Sequence, residues 1–366
     1  YTDGTASILL EPQSTNLVTY SEDFSNAAWA QTGTSTLGAN AGTSTSGSVD
    51  AYSLIPETLD ERHLLRSGFT ATSLDVTGSF FVKPNGYNHI SVSMIYSANS
   101  GGAGVIVDLT DGSTYASKTQ SGALFSVKVD NYVDGWKRVS FSVTQSVNAP
   151  DVFYIGAFDG GAVVWNNGSI APVFAGNGTD GVLIYGAQLE ALPYATSYIP
   201  TSGAIATRLA DSVTGAGDAT TFNSTEGVLY AEMASLSNEV VSNFISLSDG
   251  TYNNRISILY SNGTNIIRAF LRVGGAVQAD LSVFASDITG FHKVAFKYKE
   301  NDFALWIDGV EVATDTSGSI IPNGTLSKLS FSEINTTAGA FKGKVKSVIT
   351  FDTALTDAEL QCLTTI

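Results

Sequence analysis

The sequence contains a single cysteine, Cys362, among 366 residues. One thiol cannot form a disulfide within the chain, and no Cys-x-x-Cys pair or Cys/His cluster is present to bind zinc. Stability must therefore come from packing. A chain of this kind is also free to assemble in a reducing cytoplasm.

Charge is scarce as well, and positive charge most of all. Charged residues make up 14% of the chain, and 18 Lys and Arg stand against 34 Asp and Glu, which gives a net charge of −16. Both halves are acidic, which disfavours a nucleic-acid backbone or an anionic membrane as a partner. No apolar run approaches membrane-spanning length, so we expect no membrane insertion. The start carries no signal-peptide pattern and lacks Met, and we expect a fragment of a longer polypeptide.

Catalytic motifs are missing too. The sequence has no Gly-x-Ser-x-Gly, no His-Glu-x-x-His and no P-loop, and its three histidines lie far apart. A sandwich-type glycosidase needs two carboxylates that face each other across a cleft, and no pattern aligns Glu311 with Asp315 in that way. The sequence therefore predicts a protein that is not an enzyme.

The chain does contain many short strand patterns separated by polar turns. Hydrophobic residues make up 43% of it, and 36 residues are glycine. Two similar stretches, 135–143 and 290–298, each consist of a Gly turn, an aromatic residue, two polar residues and an alternating strand. Because strand side chains alternate between two faces, each stretch has one buried and one solvated side. The buried residues are Val139, Phe141 and Val143 in the first and Val294, Phe296 and Tyr298 in the second.

These patterns predict an all-β chain of two tandem β-sandwich (jelly-roll) domains with a short C-terminal helix. The helix is predicted over 355–363, where Thr356 and Glu359 form a capping box. We place the first domain at 1–205, a linker at 206–218 and the second domain at 219–366.

Several stretches of the second half follow a recognisable order. They are Gly290 to Phe296, Leu305-Trp306-Ile307-Asp308-Gly309, Gly343-Lys344-Val345 and the closing Leu355 to Leu360. This order of a core strand, a hairpin with an Asp-Gly tip and a terminal helix resembles the laminin-G / concanavalin A-like lectin superfamily. The resemblance implies a lectin-type sandwich, in a family whose members bind glycans, proteins or nothing.

The first half carries a second set of such stretches. They are Asn16-Leu17, Tyr20 to Ser25, Gly135-Trp136-Lys137-Arg138, Gly186-Ala187-Gln188-Leu189-Glu190 and Tyr194 to Thr201. Together they resemble carbohydrate-binding-type jelly rolls of bacteriophage tail and other virion proteins. The resemblance implies a virion surface protein with appended glycan-binding modules.

Glycan sites place aromatic rings against sugars and hydrogen-bond the hydroxyls through amides and carboxylates. The best local match is Trp165-Asn166-Asn167, in a long irregular loop predicted over 159–180. Tyr154 and Tyr96 would join it if their strands line the same face. The alternative is that Trp165 anchors its loop on the core.

His63 and the strand 79–83 also resemble the middle of these virion jelly rolls, and the resemblance implies a glycan-binding or a structural role for His63. The alternative is a surface or hydrogen-bonded polar residue without a role in binding. The sequence does not decide between the two.

Calcium is common in both families, and it requires several oxygen ligands. Glu22, Asp23 and Glu190 lie near the opening and closing strands, which are neighbours in such jelly rolls. The resemblance therefore implies these carboxylates as ligands of a structural Ca²⁺ ion, although no EF-hand spacing is present.

Together the resemblances imply a non-enzymatic virion protein, from a tail fibre or similar appendage, that binds host or environmental polysaccharide. Such a protein is assembled in the host cytoplasm, contacts other virion subunits and is typically displayed as a homo-oligomer such as a trimer. Two alternatives stay open. One is a structural decoration protein without glycan binding, and the other is an accessory binding region of a polysaccharide-degrading enzyme.

Overall fold

The computed structural model describes residues 7–70, 73–96, 101–121, 123–144, 150–166, 169–240, 242–334 and 339–366. Within these ranges the chain forms β-strands, one 3-10 turn at Val133–Gly135 and one α-helix at its C-terminal end. The predicted all-β class with a short terminal helix is therefore confirmed. No helix in the described ranges is long and apolar enough to cross a membrane.

The strands are short, as the frequent turn signals predict. The first seventeen are β1 Ile8–Leu10, β2 Ser14–Asn16, β3 Ala30–Gly33, β4 Ser35–Thr43, β5 Val49–Pro56, β6 His63–Thr70, β7 Asp75–Asn85, β8 His89–Tyr96, β9 Gly101–Asp108, β10 Thr114–Gln120, β11 Leu124–Asn131, β12 Lys137–Thr144, β13 Pro150–Phe158, β14 Val164–Asn166, β15 Ala171–Val173, β16 Gly181–Glu190 and β17 Ala206–Arg208. The others are β18 Glu226–Ser235, β19 Glu239–Val240, β20 Asn243–Ser248, β21 Arg255–Tyr260, β22 Gly263–Thr264, β23 Ile266–Val273, β24 Ala276–Phe284, β25 His292–Lys299, β26 Asp302–Ile307, β27 Val310–Asp315, β28 Lys328–Ser330 and β29 Gly343–Phe351, followed by α1 Asp357–Thr364.

The described chain forms two compact units. One is Gln13–Leu209, here called the N-terminal sandwich. The other is Ala210–Ile366 with the described residues up to Pro12, here called the C-terminal sandwich. Each unit pairs β-sheets around an apolar core of its own, which confirms the predicted tandem β-sandwich class.

The N-terminal sandwich consists of two six-stranded sheets. Their strand orders are β10-β9-β8-β13-β6-β3 and β11-β12-β7-β16-β5-β4. The first repeated stretch forms β12, which lies between β11 and β7, and its predicted inward residues Val139, Phe141 and Val143 are all buried in the core. The alternation read from the sequence therefore identifies the core face of this strand correctly.

The C-terminal sandwich packs a six-stranded sheet, β1-β29-β18-β25-β26-β27, against a five-stranded sheet, β24-β23-β21-β20-β28. The second repeated stretch forms β25, between β18 and β26, and Val294, Phe296 and Tyr298 are buried as predicted. The five-stranded sheet turns one face to this core. Its opposite face carries the polar cluster considered below.

Local sequence signals explain the start of the C-terminal helix and the β26–β27 hairpin of the C-terminal sandwich. Thr356 caps α1 by accepting the Glu359 amide, and the Glu359 carboxylate accepts the Thr356 amide in return, which confirms the predicted capping box. Leu360 on the helix is buried against Trp306 of β26. The Asp308–Gly309 turn joins β26 and β27 as the predicted hairpin, with both residues at positive φ.

The boundaries of the two units differ in two places from the predicted ranges. β1, which falls within the predicted first domain 1–205, pairs with β29, and Leu10 is buried in the C-terminal core. β17 begins the predicted linker 206–218, yet it pairs with β2, where the hydroxyls of Thr207 and Thr15 lie 2.7 Å apart. Strands of three residues are too short to show periodicity, so the sequence does not reveal either pairing.

Candidate functional site

The stretch around Trp165 is a short hairpin rather than the predicted irregular loop. β14 pairs with β15, and Trp165 lies opposite Pro172. The Trp165 side chain is half-buried and packs against Tyr154 and its apolar neighbours. Asn166 accepts hydrogen bonds from the amide and hydroxyl of Ser169 through Oδ1. Asn167 lies outside the described residues.

The two tyrosines proposed to join Trp165 are both buried in the N-terminal sandwich. Tyr154 on β13 belongs to the cluster that Trp165 covers, whereas Tyr96 on β8 belongs to the main core. Stacking on a sugar requires an exposed ring face, and neither tyrosine presents one. The structure thus brings Tyr154 and Trp165 together as packing partners. This arrangement corresponds to the alternative interpretation, in which Trp165 anchors its own segment on the core.

His63 is also buried. Its Nδ1 faces the carbonyl oxygen of Thr34, and its Nε2 lies 2.9 Å from the carbonyl oxygen of Phe174. The ring packs edge-on against the Phe174 ring. Both nitrogens are therefore engaged by the backbone, and His63 connects two segments of its own sandwich.

The three predicted calcium ligands make separate hydrogen-bond sets. Glu22 accepts the hydroxyl protons of Tyr185 and Tyr198, at 2.8 and 3.0 Å. Asp23 closes a local turn by accepting the amide and hydroxyl of Ser25, and the Ser25 hydroxyl bond lowers the pKa of this half-buried carboxyl group.

Glu190 is buried, and both of its carboxylate oxygens accept hydrogen bonds from protein donors. Oε1 accepts the Ser14 hydroxyl at 2.6 Å and the Thr196 hydroxyl, and Oε2 accepts the Thr196 amide at 2.9 Å. The described residues contain no group of three or more His, Cys, Asp or Glu side chains placed to hold a metal ion. The three carboxylates therefore do not fit a shared calcium site, which needs their oxygens turned toward one ion.

The Gly186 to Glu190 stretch has a clear structural role. The Asn16 side chain donates to the carbonyls of Ala187 and Ile199 and accepts the Leu189 amide. Gln188 accepts the Ile199 amide through Oε1 at 2.6 Å. This buried network fixes the segments around residues 16 and 199 against β16, which explains why these amides and carboxylates occur where they do.

A different polar cluster lies on the outer face of the five-stranded sheet of the C-terminal sandwich. β21 and β23 pair so that Arg255 lies directly opposite Arg272. Alternation along β23 places Arg268, Phe270 and Arg272 on one side, while the residues between them point into the core. We call Arg255, Arg268, Phe270 and Arg272 the arginine face.

Phe270 lies between two guanidinium groups of this face. The Cζ atoms of Arg255 and Arg268 are 5.0 and 5.4 Å from its ring centroid, within cation–π range. Arg268 donates through Nε and Nη2 to both oxygens of Asp280, each at 2.6 Å, and this pairing raises the Arg268 pKa. Arg255 donates through Nη2 to Glu333 at 2.7 Å.

Arg272 has no carboxylate partner in the described part of the chain. Its Nη1 reaches only the carbonyl oxygen of Gly275, at 3.5 Å. The Nε–H groups of Arg272 and Arg255 are buried and meet no acceptor among the described residues, at a cost of about 1–3 kcal/mol each. Burial lowers the pKa of Arg255, and repulsion from Arg272 lowers it further. Asp249 in the neighbouring loop accepts hydrogen bonds from Thr251 and Asn254 and is not an ion-pair partner of Arg272. Of the three guanidiniums on this face, Arg272 is therefore the one without a paired carboxylate in the described chain.

Loop 249–254 and the β23–β24 turn form a rim beside Arg255 and Arg272. Asn254 accepts the Gly274 amide through Oδ1 at 2.9 Å, which ties the loop to the turn. Arg255 donates through Nη1 to the Tyr252 carbonyl, and its Cζ lies 5.2 Å from the Tyr252 ring centroid. Tyr252 remains 45% exposed. The rim thus presents an exposed aromatic ring next to guanidinium and amide groups.

None of the motifs predicted from the sequence includes these residues. One sequence signal for this face was available. In Arg268-Ala269-Phe270-Leu271-Arg272, a cation, an aromatic residue and a second cation stand at alternate positions, in a chain that has few cations. The register that sets Arg255 opposite Arg272 is the part that the sequence does not show, because it depends on how the strands pair.

The second half of the chain folds as a lectin-like β-sandwich. Residues 229–361 match the family model of the concanavalin A-like lectin/glucanases superfamily, of the laminin G type. The resemblance predicted for the second half is therefore confirmed over those residues, which make up about a third of the chain. No curated protein matches the chain.

Solved structures give weaker likenesses. A sialidase carbohydrate-binding module (CBM40) of Ruminococcus gnavus with bound α2,3-sialyllactose is 18% identical, with 42% of this chain and 96% of that chain covered and a TM-score of 0.35. The heptameric SAP-like pentraxin of Limulus polyphemus is 11% identical, with 38% and 69% covered and a TM-score of 0.31. Mouse laminin α1 domains LG4-5 are 10% identical, with 89% and 88% covered and a TM-score of 0.26. At such TM-scores the likeness carries no information about a ligand.

Proposed function

We propose that this protein is a non-enzymatic glycan-binding component of a virion, and that its C-terminal sandwich binds the saccharide at the arginine face and its rim. The observation that carries this proposal is the exposed Tyr252 ring beside Arg255 and Arg272. The lectin-type family match over residues 229–361 supports the same sandwich as the binding module.

The composition of the rim suits a sugar. Tyr252 supplies a ring for stacking on the apolar face of a pyranose, a contact of roughly 0.5–1.5 kcal/mol beyond its area. The guanidinium of Arg272 supplies hydrogen-bond donors for hydroxyl oxygens, while the amide of Asn254 donates to Asp249 and has one further N–H to offer. A single site of this kind is weak, and display on a homo-oligomer, such as a trimer, would raise the avidity.

The virion setting rests on the resemblance of the first half to jelly rolls of phage tail and virion proteins. In that setting the protein sits on a tail fibre or similar appendage, is assembled in the host cytoplasm and contacts other virion subunits. The alternatives are a decoration protein that binds no glycan and an accessory region of a polysaccharide-degrading enzyme. The first predicts a silent glycan array, and the second predicts release of reducing or unsaturated sugar ends.

The test is a glycan array on the full chain, on Tyr252→Ala and on Trp165→Ala, with Tyr115→Ala as the matched control for Tyr252. Tyr115 is 44% exposed, nearly the same as Tyr252, but lies on β10 of the N-terminal sandwich. Loss of signal in Tyr252→Ala alone supports the proposal. Loss in Tyr115→Ala or in Trp165→Ala alone would move the site to the N-terminal sandwich, and a silent array would favour the decoration protein.

A further inference from the structure

We propose that the arginine face selects glycans that carry a carboxylate, and that Arg272 is the residue that binds this carboxylate. This inference rests on the proposed function, because it names the chemical class of ligand for the same site. It is drawn from the charge balance and register of β21, β23 and β24.

The register creates a like-charge pair. Arg255 and Arg272 face each other across β21 and β23, an arrangement that is ordinarily unfavourable in a sheet. The Glu333 carboxylate pairs with Arg255, at 2.7 Å, and not with Arg272. An anion bound at Arg272 would remove the repulsion that the pair otherwise maintains.

The charges on this face leave room for one anion. Arg268 is held by both oxygens of Asp280 and Arg255 by one oxygen of Glu333, so two carboxylates balance two of the three guanidiniums. Apart from its buried Nε–H, Arg272 keeps its donors, since its one hydrogen bond among the described residues is the long 3.5 Å approach to the Gly275 carbonyl. A ligand anion at Arg272 would give the third guanidinium a negatively charged partner.

Two backbone features lie next to Arg272, a β-bulge in β24 and the tied turn that follows β23. A β-bulge interrupts the pairing of β23 with β24 beside Arg272: Leu271 pairs with Ala279 and Arg272 with Val277, so the extra residue is Gln278 on β24. Bulges are frequent beside binding sites. Asn254 ties the turn that follows β23 to the loop that carries Tyr252, so the guanidinium and the exposed ring are held on neighbouring segments.

A carboxylate is the anion that this face already holds in a bidentate contact. The planar guanidinium fork matches the two oxygens of a carboxylate, and the Arg268–Asp280 pair on the same face is a bidentate contact of that kind. The chain as a whole carries a net charge of −16, which opposes polyanions at long range, and most strongly those with the highest charge density, such as dextran sulfate. At physiological ionic strength charges beyond about 8 Å are largely screened, so the local excess at Arg272 governs a singly charged sugar.

The experiment compares matched ligands on the full chain. Binding is measured to polygalacturonate, alginate, hyaluronan and polysialic acid, to each of these after its carboxyl groups have been reduced or esterified, and to dextran sulfate. The variants are Arg272→Gln and, as a control, Arg66→Gln, which removes the same charge from an exposed position of the N-terminal sandwich.

We expect at least one carboxylated polysaccharide to bind, about tenfold or more tighter than its neutral form, since hydrogen bonds to charged groups are the strong ones. Arg272→Gln should lose that preference, and Arg66→Gln should keep it. Equal binding of neutral forms or of dextran sulfate, or an unchanged preference in Arg272→Gln, would overturn the inference. If a neutral glycan binds and Tyr252→Ala abolishes that binding, the proposed function stands although the carboxylate inference fails. If no saccharide binds, the proposed function and the carboxylate inference are both overturned.

Discussion

Arg255 and Arg272 are direct cross-strand partners, and each has a buried Nε–H without an acceptor in the described chain. The pair is nonetheless asymmetric. Arg255 is 3% exposed and bonded to Glu333, whereas Arg272 is half-buried, and its one hydrogen bond among the described residues is a long one to a carbonyl oxygen. One partner is thus a structural cation, and the other is available to a ligand.

This asymmetry predicts opposite effects on stability. Arg255→Gln leaves Glu333 unpaired and uncovers Phe270, and it should lower the free energy of unfolding by about 2 kcal/mol, because the pair is only partly shielded from water. Arg272→Gln removes a like-charge contact and should be neutral or stabilising by up to about 1 kcal/mol. Urea denaturation of both variants measures the difference. Equal destabilisation by the two changes would show that Arg272 is structural as well.

The Glu190 network yields a prediction for the N-terminal sandwich. Glu190→Gln replaces an accepting oxygen with a donor beside the Ser14 hydroxyl and the Thr196 amide and hydroxyl. The free energy of unfolding should fall by about 1–3 kcal/mol. Glu57→Gln, at an exposed position, is the control and should change it little. A Glu190→Gln variant as stable as the control would contradict the structural role assigned to this carboxylate.

Calcium provides a separate test of the same residues. Because Glu22, Asp23 and Glu190 accept hydrogen bonds from different protein donors, they should not bind Ca²⁺ together. The melting temperature is therefore expected to be the same in CaCl₂ and in EDTA. A calcium-dependent rise in melting temperature that Glu190→Gln abolishes would restore the site implied by the sequence resemblance.

Buried tyrosines predict a loss of stability in alkali. Burial raises the pKa of Tyr260 and of Tyr298 above the ordinary value of 10.0. The stabilisation that these phenols contribute is fully present below pH 10, and it is lost as the pH rises further, because the unfolded chain then releases protons that the folded chain retains. The loss is about 1.4 kcal/mol per pH unit for each such group.

Denaturation at several pH values between 8 and 11 measures this loss. Tyr260→Phe removes one of the groups and should flatten the fall above pH 10. Tyr132→Phe, at an exposed position, should leave the slope as it is. Identical slopes in both variants would contradict the assignment to buried tyrosines.

Much of the fold could be predicted because it depends on local patterns. Val139 and Val294 are buried where the alternation places them, and Thr356 caps the helix where the capping box predicts. The site could not be predicted in the same way. Trp165 and Tyr154 have the residue types of a sugar platform but pack against each other, and Arg272 acquires its significance only from the register of β21 and β23.

Trp165 gives a direct comparison between packing and binding. Because its ring covers a buried cluster that includes Tyr154 and Ile170, Trp165→Ala should lower the free energy of unfolding by about 2–3 kcal/mol, somewhat less than for a fully buried tryptophan. Glycan binding should be retained below the unfolding transition. Thermal denaturation together with the glycan array distinguishes the two effects, and lost binding in a variant of unchanged stability would assign Trp165 to a glycan site.

Hydrogen–deuterium exchange, with and without a polysaccharide that the array identifies, tests the central claim most directly, because it locates the bound ligand without a mutation. The account predicts slowed exchange in loop 249–254 and in the 273–276 turn, both of which border Arg272. Protection confined to the N-terminal sandwich around 159–166, with loop 249–254 unchanged, would contradict it.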